Sequence, residues 1–295
     1  MNRTTMRVAL AAMTALSISP SSEAASTKSL QVNVSQVNDR RSSGSFSQLS
    51  IFLELPTVSS TDLAASRVIL KAAEDDKGRN LLDTSAGEPR LETNRQGSFG
   101  PGDKKVSPAS VSFELKNPDR QATRVKEIRG EVELFMPAKD ANSVALIPKF
   151  LSSSGKTLSH KALKANGVDI AIVSKAQLDA ERKKVGDKRR EEAKAEGAEG
   201  DDLESAVTNA MENYFTPDAG DVVLKVKDPN HHIQDISFID KSGEVKPGNA
   251  HDVEGWTIVS RYGEPPAADW SLRISMQTEK NILRYPFVLT DVPLP

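Results

Sequence analysis

The chain has 295 residues, room for one large or two ordinary domains. It contains no cysteine, which excludes disulfides, thiolate catalysis and Cys-ligated metal. Lys and Arg number 39 against 41 Asp and Glu, so there is no basic excess to draw the chain to nucleic acid or an anionic membrane.

The N-terminus carries its own address. Arg3 and Arg7 precede the apolar run 8–18, VALAAMTALSI, and Ser22 and Ala24 supply small residues before a cut after Ala24. This is the pattern of a Sec-type secretory signal peptide over 1–24. It predicts export to the periplasm, the cell surface or the extracellular space. The apolar run is too short for a permanent span, and no later segment is long and apolar enough, so no integral membrane segment is expected after cleavage.

Beyond the leader the dominant period is two. Leu30, Val32 and Val34 alternate with polar residues. Leu49, Ile51, Leu53 and Leu55 share one face of the next segment. The same pattern recurs at 111–115, 132–134, 168–172, 222–226, 270–276 and 283–289. One apolar and one polar face is the signature of antiparallel sheets with a solvated side. Short strands separated by Gly, Pro, Asn and Asp point to β-sandwiches.

Two stretches break the alternation. Residues 84–108 are rich in Ser, Gly and Pro and read as a long loop. Residues 174–215 read as a helical insertion. Ser174 and Gln177 form a capping-box pattern. The run 178–196 is almost wholly charged, with helical-spacing pairs Lys184–Asp187, Lys188–Glu191 and Glu191–Lys194. A second helix over 203–215 places Leu203, Ala206, Val207, Ala210, Met211 and Tyr214 on one stripe, and Pro217 ends it. The expectation is a helical hairpin or protruding arm, with 175–200 as its contact element for a protein partner or for self-assembly.

One phrase occurs twice. Lys116-Asn117-Pro118-Asp119 and Lys227-Asp228-Pro229-Asn230 each end a strand, and each is followed by Gly-Glu-Val. Proline removes a ladder donor, and Asn and Asp close turns through their side chains. The reading is a repeated unit of strand, Asx-Pro corner, strand, Gly turn and strand. It implies a mainly β chain built as two antiparallel Ig-like or jelly-roll-type β-sandwich domains, over 25–140 and 141–295, the second carrying the insertion 175–215. Chance recurrence of ordinary turn chemistry is the alternative. Asp-x-x-Gly at 75–78 and again at 240–243 reads as a tight turn rather than a calcium loop.

The segments 67–82 (RVILKAAEDDKGRNLL), 111–135 (VSFELKNPDRQATRVKEIRGEVELF) and 285–295 (YPFVLTDVPLP) resemble uncharacterised exported bacterial proteins of β-rich build. The resemblance implies export and a β fold, and it brings no residue role with it.

Chemistry is sparse. Ser-Ser-Gly-Lys-Thr at 153–157 lacks the upstream glycine of a phosphate loop, and no Gly-x-Ser-x-Gly elbow occurs. His231 and His232, beside Asp228, are the weak candidates for a metal site; adjacent strand residues point to opposite faces and chelate poorly. Trp256 and Tyr262 are candidates for stacking on a sugar, with Trp270 nearby but fitted to a buried face. No cofactor is expected. The expected function is a non-catalytic exported structural or protein-interaction module. The alternatives are a carbohydrate-binding module and a hydrolase with dispersed residues.

Overall fold

The structure is a computed structural model that describes residues 30–42, 47–85, 87, 89–93, 107–261 and 264–295. The leader read over 1–24, most of the 84–108 loop and Tyr262 lie outside them. Strand makes up 44% and helix 19%, so the chain is mainly β, as the period-two pattern predicts.

Alternation becomes ladder early. Asn33–Arg40 (β1) pairs with Gln48–Ser59 (β2), and β2 pairs with Pro108–Leu115 (β5); both pairings are antiparallel. A second sheet runs from Ile282–Pro293 (β15) through Arg124–Phe135 (β6) and Ala65–Asp75 (β3) to Glu92–Thr93 (β4). Leu49, Ile51, Leu53 and Leu55 of β2 are fully buried. They share one hydrophobic cluster with Val111 and Phe113 of β5, Val125, Ile128 and Val132 of β6, and Phe287 and Val292 of β15. Each such side chain contributes about 1.5–3 kcal/mol on leaving water.

Two further four-stranded sheets follow the same logic. One has the order Val245–Pro247 (β11), Ile233–Ile239 (β10), Ser271–Met276 (β14), Val144–Pro148 (β7). The other has the order Asn249–Val253 (β12), Trp256–Ser260 (β13), Val222–Lys227 (β9), Asp169–Ile172 (β8). Ile236, Phe238, Leu272 and Ile274 of the first meet Ile170, Leu224 and Val259 of the second in a separate cluster. The short helix Lys161–Ala165 (α1) buries Ala162 and Leu163 against it.

The repeated corners have one topological job. The first carries the chain from β5 to β6, and the second carries it from β9 to β10. Each step passes from one sheet to the sheet that shares its core. The local chemistry differs. Asn117 donates through Nδ2 to Asp39 Oδ1 at 2.6 Å and to the Arg40 carbonyl at 2.9 Å, tying the corner to β1. Asp228 instead closes its own turn, accepting from His232 N at 3.0 Å and Ile233 N at 2.7 Å.

The Gly-Glu-Val part of the repeat does not hold. Gly243 sits in the β10–β11 turn with φ +84°, as the turn reading requires, whereas Gly130 lies in the middle of β6. A Cβ at Gly130 would meet the Ile69 carbonyl oxygen at 2.8 Å and the Phe287 ring at 2.9 Å. Its role is close packing, not a change of chain direction.

The C-terminal strand, which the alternation leaves with the second half of the chain, runs antiparallel to β6 over most of its length. The polypeptide therefore passes twice between the two clusters. The passages are bonded to each other: Met136 N donates to the Asn281 carbonyl at 2.9 Å, and Met276 N to the Ser143 carbonyl at 2.7 Å.

Candidate interaction arm

Between β8 and β9, which pair directly from Ile172↔Leu224 to Asp169↔Lys227, the chain makes a long excursion. It consists of Lys175–Ala195 (α2) and Gly200–Glu212 (α3). The capping box is formed: Ser174 N donates to Gln177 Oε1 at 2.9 Å, and the Ser174 hydroxyl accepts from Gln177 N at 3.3 Å. At the far end of α2, Gly197 takes φ +86°, and Ala198 N donates back to the Ala193 carbonyl. This left-handed glycine stops the helix and turns the chain. Asp201 and Asp202 then open α3, where their charge suits the helix N-terminus.

The two helices pack chiefly on each other. Leu178, Gly186 and Ala193 are the buried positions of α2, and Val207 is that of α3. A Cβ at Gly186 would stand 2.7 Å from Met211 Sδ and 3.5 Å from Val207 Cγ1, so the glycine sets how closely the helices approach. Arg190 spans the hairpin and grips Glu204 with Nη1 and Nη2, at 2.6 and 3.2 Å. That grip raises the Arg190 pKa and lowers that of Glu204. Other pairs follow helical spacing with different partners from those the sequence suggests. Lys184 binds Glu181 at 2.7 Å, and Lys188 faces Glu192 at 3.6 Å.

Charge is divided unevenly. α2 carries eight basic residues against five acidic, while α3 carries four acidic residues and no basic one. The arm thus presents one positive and one negative helix.

Its root is held at two points, one on a sheet and one on the loop that leads into β9. Trp256 Nε1, at the start of β13, donates to the Tyr214 hydroxyl at 3.0 Å. Arg182 Nη2 donates to Thr216 Oγ1. Trp256 is half-buried, and its one polar atom is committed to this latch. Trp270 packs on Phe238 with ring centroids 6.5 Å apart, under the Arg261 guanidinium at 4.6 Å. In the sequence the signal for this latch is Tyr214, last on the apolar stripe that begins at Leu203 and two residues past the end of α3.

Two of the metal candidates, Asp228 and His232, have protein partners. Both carboxylate oxygens of Asp228 accept backbone N–H groups, and His232 Nδ1 lies 3.1 Å from the Asn166 carbonyl. His231 adopts φ +53° in the same turn. His160 caps α1, its Nδ1 accepting from Ala162 N at 3.1 Å. Among the described residues no three His, Cys, Asp or Glu side chains gather as a metal-ligand group. No helix among them is long and apolar enough to cross a membrane.

The chain matches no protein-family model, no curated protein and no solved structure.

Proposed function

We propose that this is an exported, non-catalytic protein whose two sheet pairs are Ig-like or jelly-roll-type β-sandwich units and whose α2–α3 hairpin is held out to bind a protein partner. The single observation that carries the reading is the hairpin itself. It interrupts a β8–β9 connection that needs no helices, it packs on its own second strand of helix, and it keeps a dense, divided charge at its surface. Such a device adds little to the core and much to recognition. The sandwich reading is supported by the two clusters, each fed by two antiparallel sheets. Export is supported by the leader pattern at 1–24, and the product is the chain beginning at Ala25 in the periplasm or at the cell surface. The Trp256 latch favours a structural role for that ring over sugar stacking.

The test replaces 175–215 with a short Gly-containing turn. The strand signal in circular dichroism and cooperative unfolding should persist, while cross-linked partners captured from the cell envelope should be lost. Capture at the level of the full chain removes the proposal. Mass measurement of the exported product tests the cut after Ala24.

A further inference from the structure

Among the described residues, Arg190–Glu204 is the one ion pair that joins α2 to α3. Lys183 and Lys194 of α2, and Asp201 and Glu212 of α3, are exposed and form no ion pair there. These four charges share one flank of the hairpin. Gly186 turns toward Val207 and Met211, which fixes how the helices face each other. At about 3.6 residues per turn, Lys183, Arg190 and Lys194 fall to one side of Gly186, and Asp201, Glu204 and Glu212 to one side of Val207. The Arg190–Glu204 grip makes the two sides one flank. Lys194 agrees: after Arg190, it is a further cause of the lowered Glu204 pKa. Asp187 and Glu191 also lie on the α2 side, each within a turn of the basic residues that offset it. The flank therefore has a cationic edge on α2 beside an anionic edge on α3.

Granted that the arm is the contact element proposed above, we infer that its partner is a second copy of this chain, docked hairpin on hairpin through this flank. Two flanks can meet face to face with two-fold symmetry in two ways. An axis across the hairpin sets α2 on α2 and α3 on α3, like charge on like. An axis along the hairpin sets each α2 on the other copy's α3, and the divided charge selects this arrangement. It also fixes the register. Lys183 stands about two turns before Arg190, as Glu212 stands about two turns after Glu204. Lys194 stands about one turn after Arg190, as Asp201 stands about one turn before Glu204. The axis along the hairpin preserves height, so Lys183 meets Glu212 of the second copy and Lys194 meets Asp201 of the second copy. Symmetry makes each contact twice. With α3 only about 20 Å long, the contact is smaller than a permanent dimer uses, so the association is reversible and sensitive to salt.

The experiment is analytical ultracentrifugation of the exported full-length chain, purified, at ~50 and ~500 mM salt. Dimers should form at the lower salt and weaken about tenfold or more at the higher. Lys183→Glu alone and Glu212→Lys alone should each weaken the dimer by about tenfold, because each sets like charges together twice. Mixing the two variants should restore dimers that contain one chain of each, since every such contact is again attractive. Intramolecular repair cannot produce that rescue, and an arm that had failed to fold could not show it. A chain that stays monomeric at ~300 µM and low salt would overturn the inference. If the arm still captured a different protein from the cell envelope, the reading of the arm as a contact element would survive that failure. Dimers that persist when 175–215 is replaced, or that ignore both substitutions, would overturn the inference as well.

Discussion

Glu133 on β6 and Arg284 on β15 face each other across the sheet at 2.6 Å, although 151 residues separate them in sequence. Arg67 on β3 reaches the same carboxylate from the other side at 2.5 Å. One acid, 2% exposed, thus pins three strands, including the one that brings the C-terminus home. Replacing Glu133 with Gln should cost about 1–3 kcal/mol, because the arginines lose a charged acceptor but retain access to water. Arg284→Met should cost less, its side chain being 62% exposed. Urea unfolding of the variants measures both.

The acid limb of stability should trace to a few carboxylates. Burial by itself would raise the Glu133 pKa; the two arginine hydrogen bonds outweigh it and hold the group below its ordinary value. Asp75 is fully buried, which again would raise it, but backbone N–H groups of Asp119, Arg79 and Lys77 bring it down. Asp240, in the matching Asp-x-x-Gly turn, is lowered to about 2, first by the Ser242 hydroxyl and then, against burial, by the Glu244 and Ser242 N–H groups. A depressed pKa means that the folded state binds the proton less readily than the unfolded one. The stabilisation is therefore full above the unfolded carboxylate range near ~4 and is lost as pH falls through the folded values. A melting-temperature series from pH 7 to about 2 should be flat, then fall. Asp75→Asn should remove part of the fall and cost about 1–3 kcal/mol at neutral pH by weakening three partly buried hydrogen bonds.

Two glycines of the same tripeptide should respond oppositely. Gly130→Ala drives a methyl group into the Ile69 carbonyl and the Phe287 ring and should cost about 1–3 kcal/mol. Gly243 has open space and φ +84°, a conformation asparagine tolerates, so Gly243→Asn should stay within about 1 kcal/mol. Thermal unfolding of the pair checks this. Equal losses would contradict the distinct roles of the two residues.

The arm should loosen without unfolding the sheets. Gly186→Leu forces α2 from Met211 and Val207, and Trp256→Phe removes the donor to Tyr214. Hydrogen exchange over 175–212 should accelerate in both variants while β6, β10 and β14 remain protected. Loss of protection throughout the chain would show instead that the arm is integral to the core.

Much of this was legible in the residues because burial imposes a period. The β2 and β5 strands, the capping box at Ser174 and the tight Asp-x-x-Gly turns follow from local chemistry alone. β3 carries no clean alternation, for a physical reason. Its register shifts between Leu70 and Ala72, so inward positions move from Val68 to Ala73 and Asp75, and the alternation breaks. A shift at the end of the same ladder likewise separates Val125 from Ile128 on β6. The Trp256–Tyr214 latch was hidden because its two residues lie 42 positions apart.

Alternating polarity by itself determined a β-rich chain interrupted by a charged helical pair, since solvent sorts side chains at every residue. Only the tertiary structure decided which sheet each strand joined, that β15 closes on β6, and that a glycine read as a turn is a point of close packing. Those outcomes depend on contacts between distant segments, whose free energy no local window of residues contains.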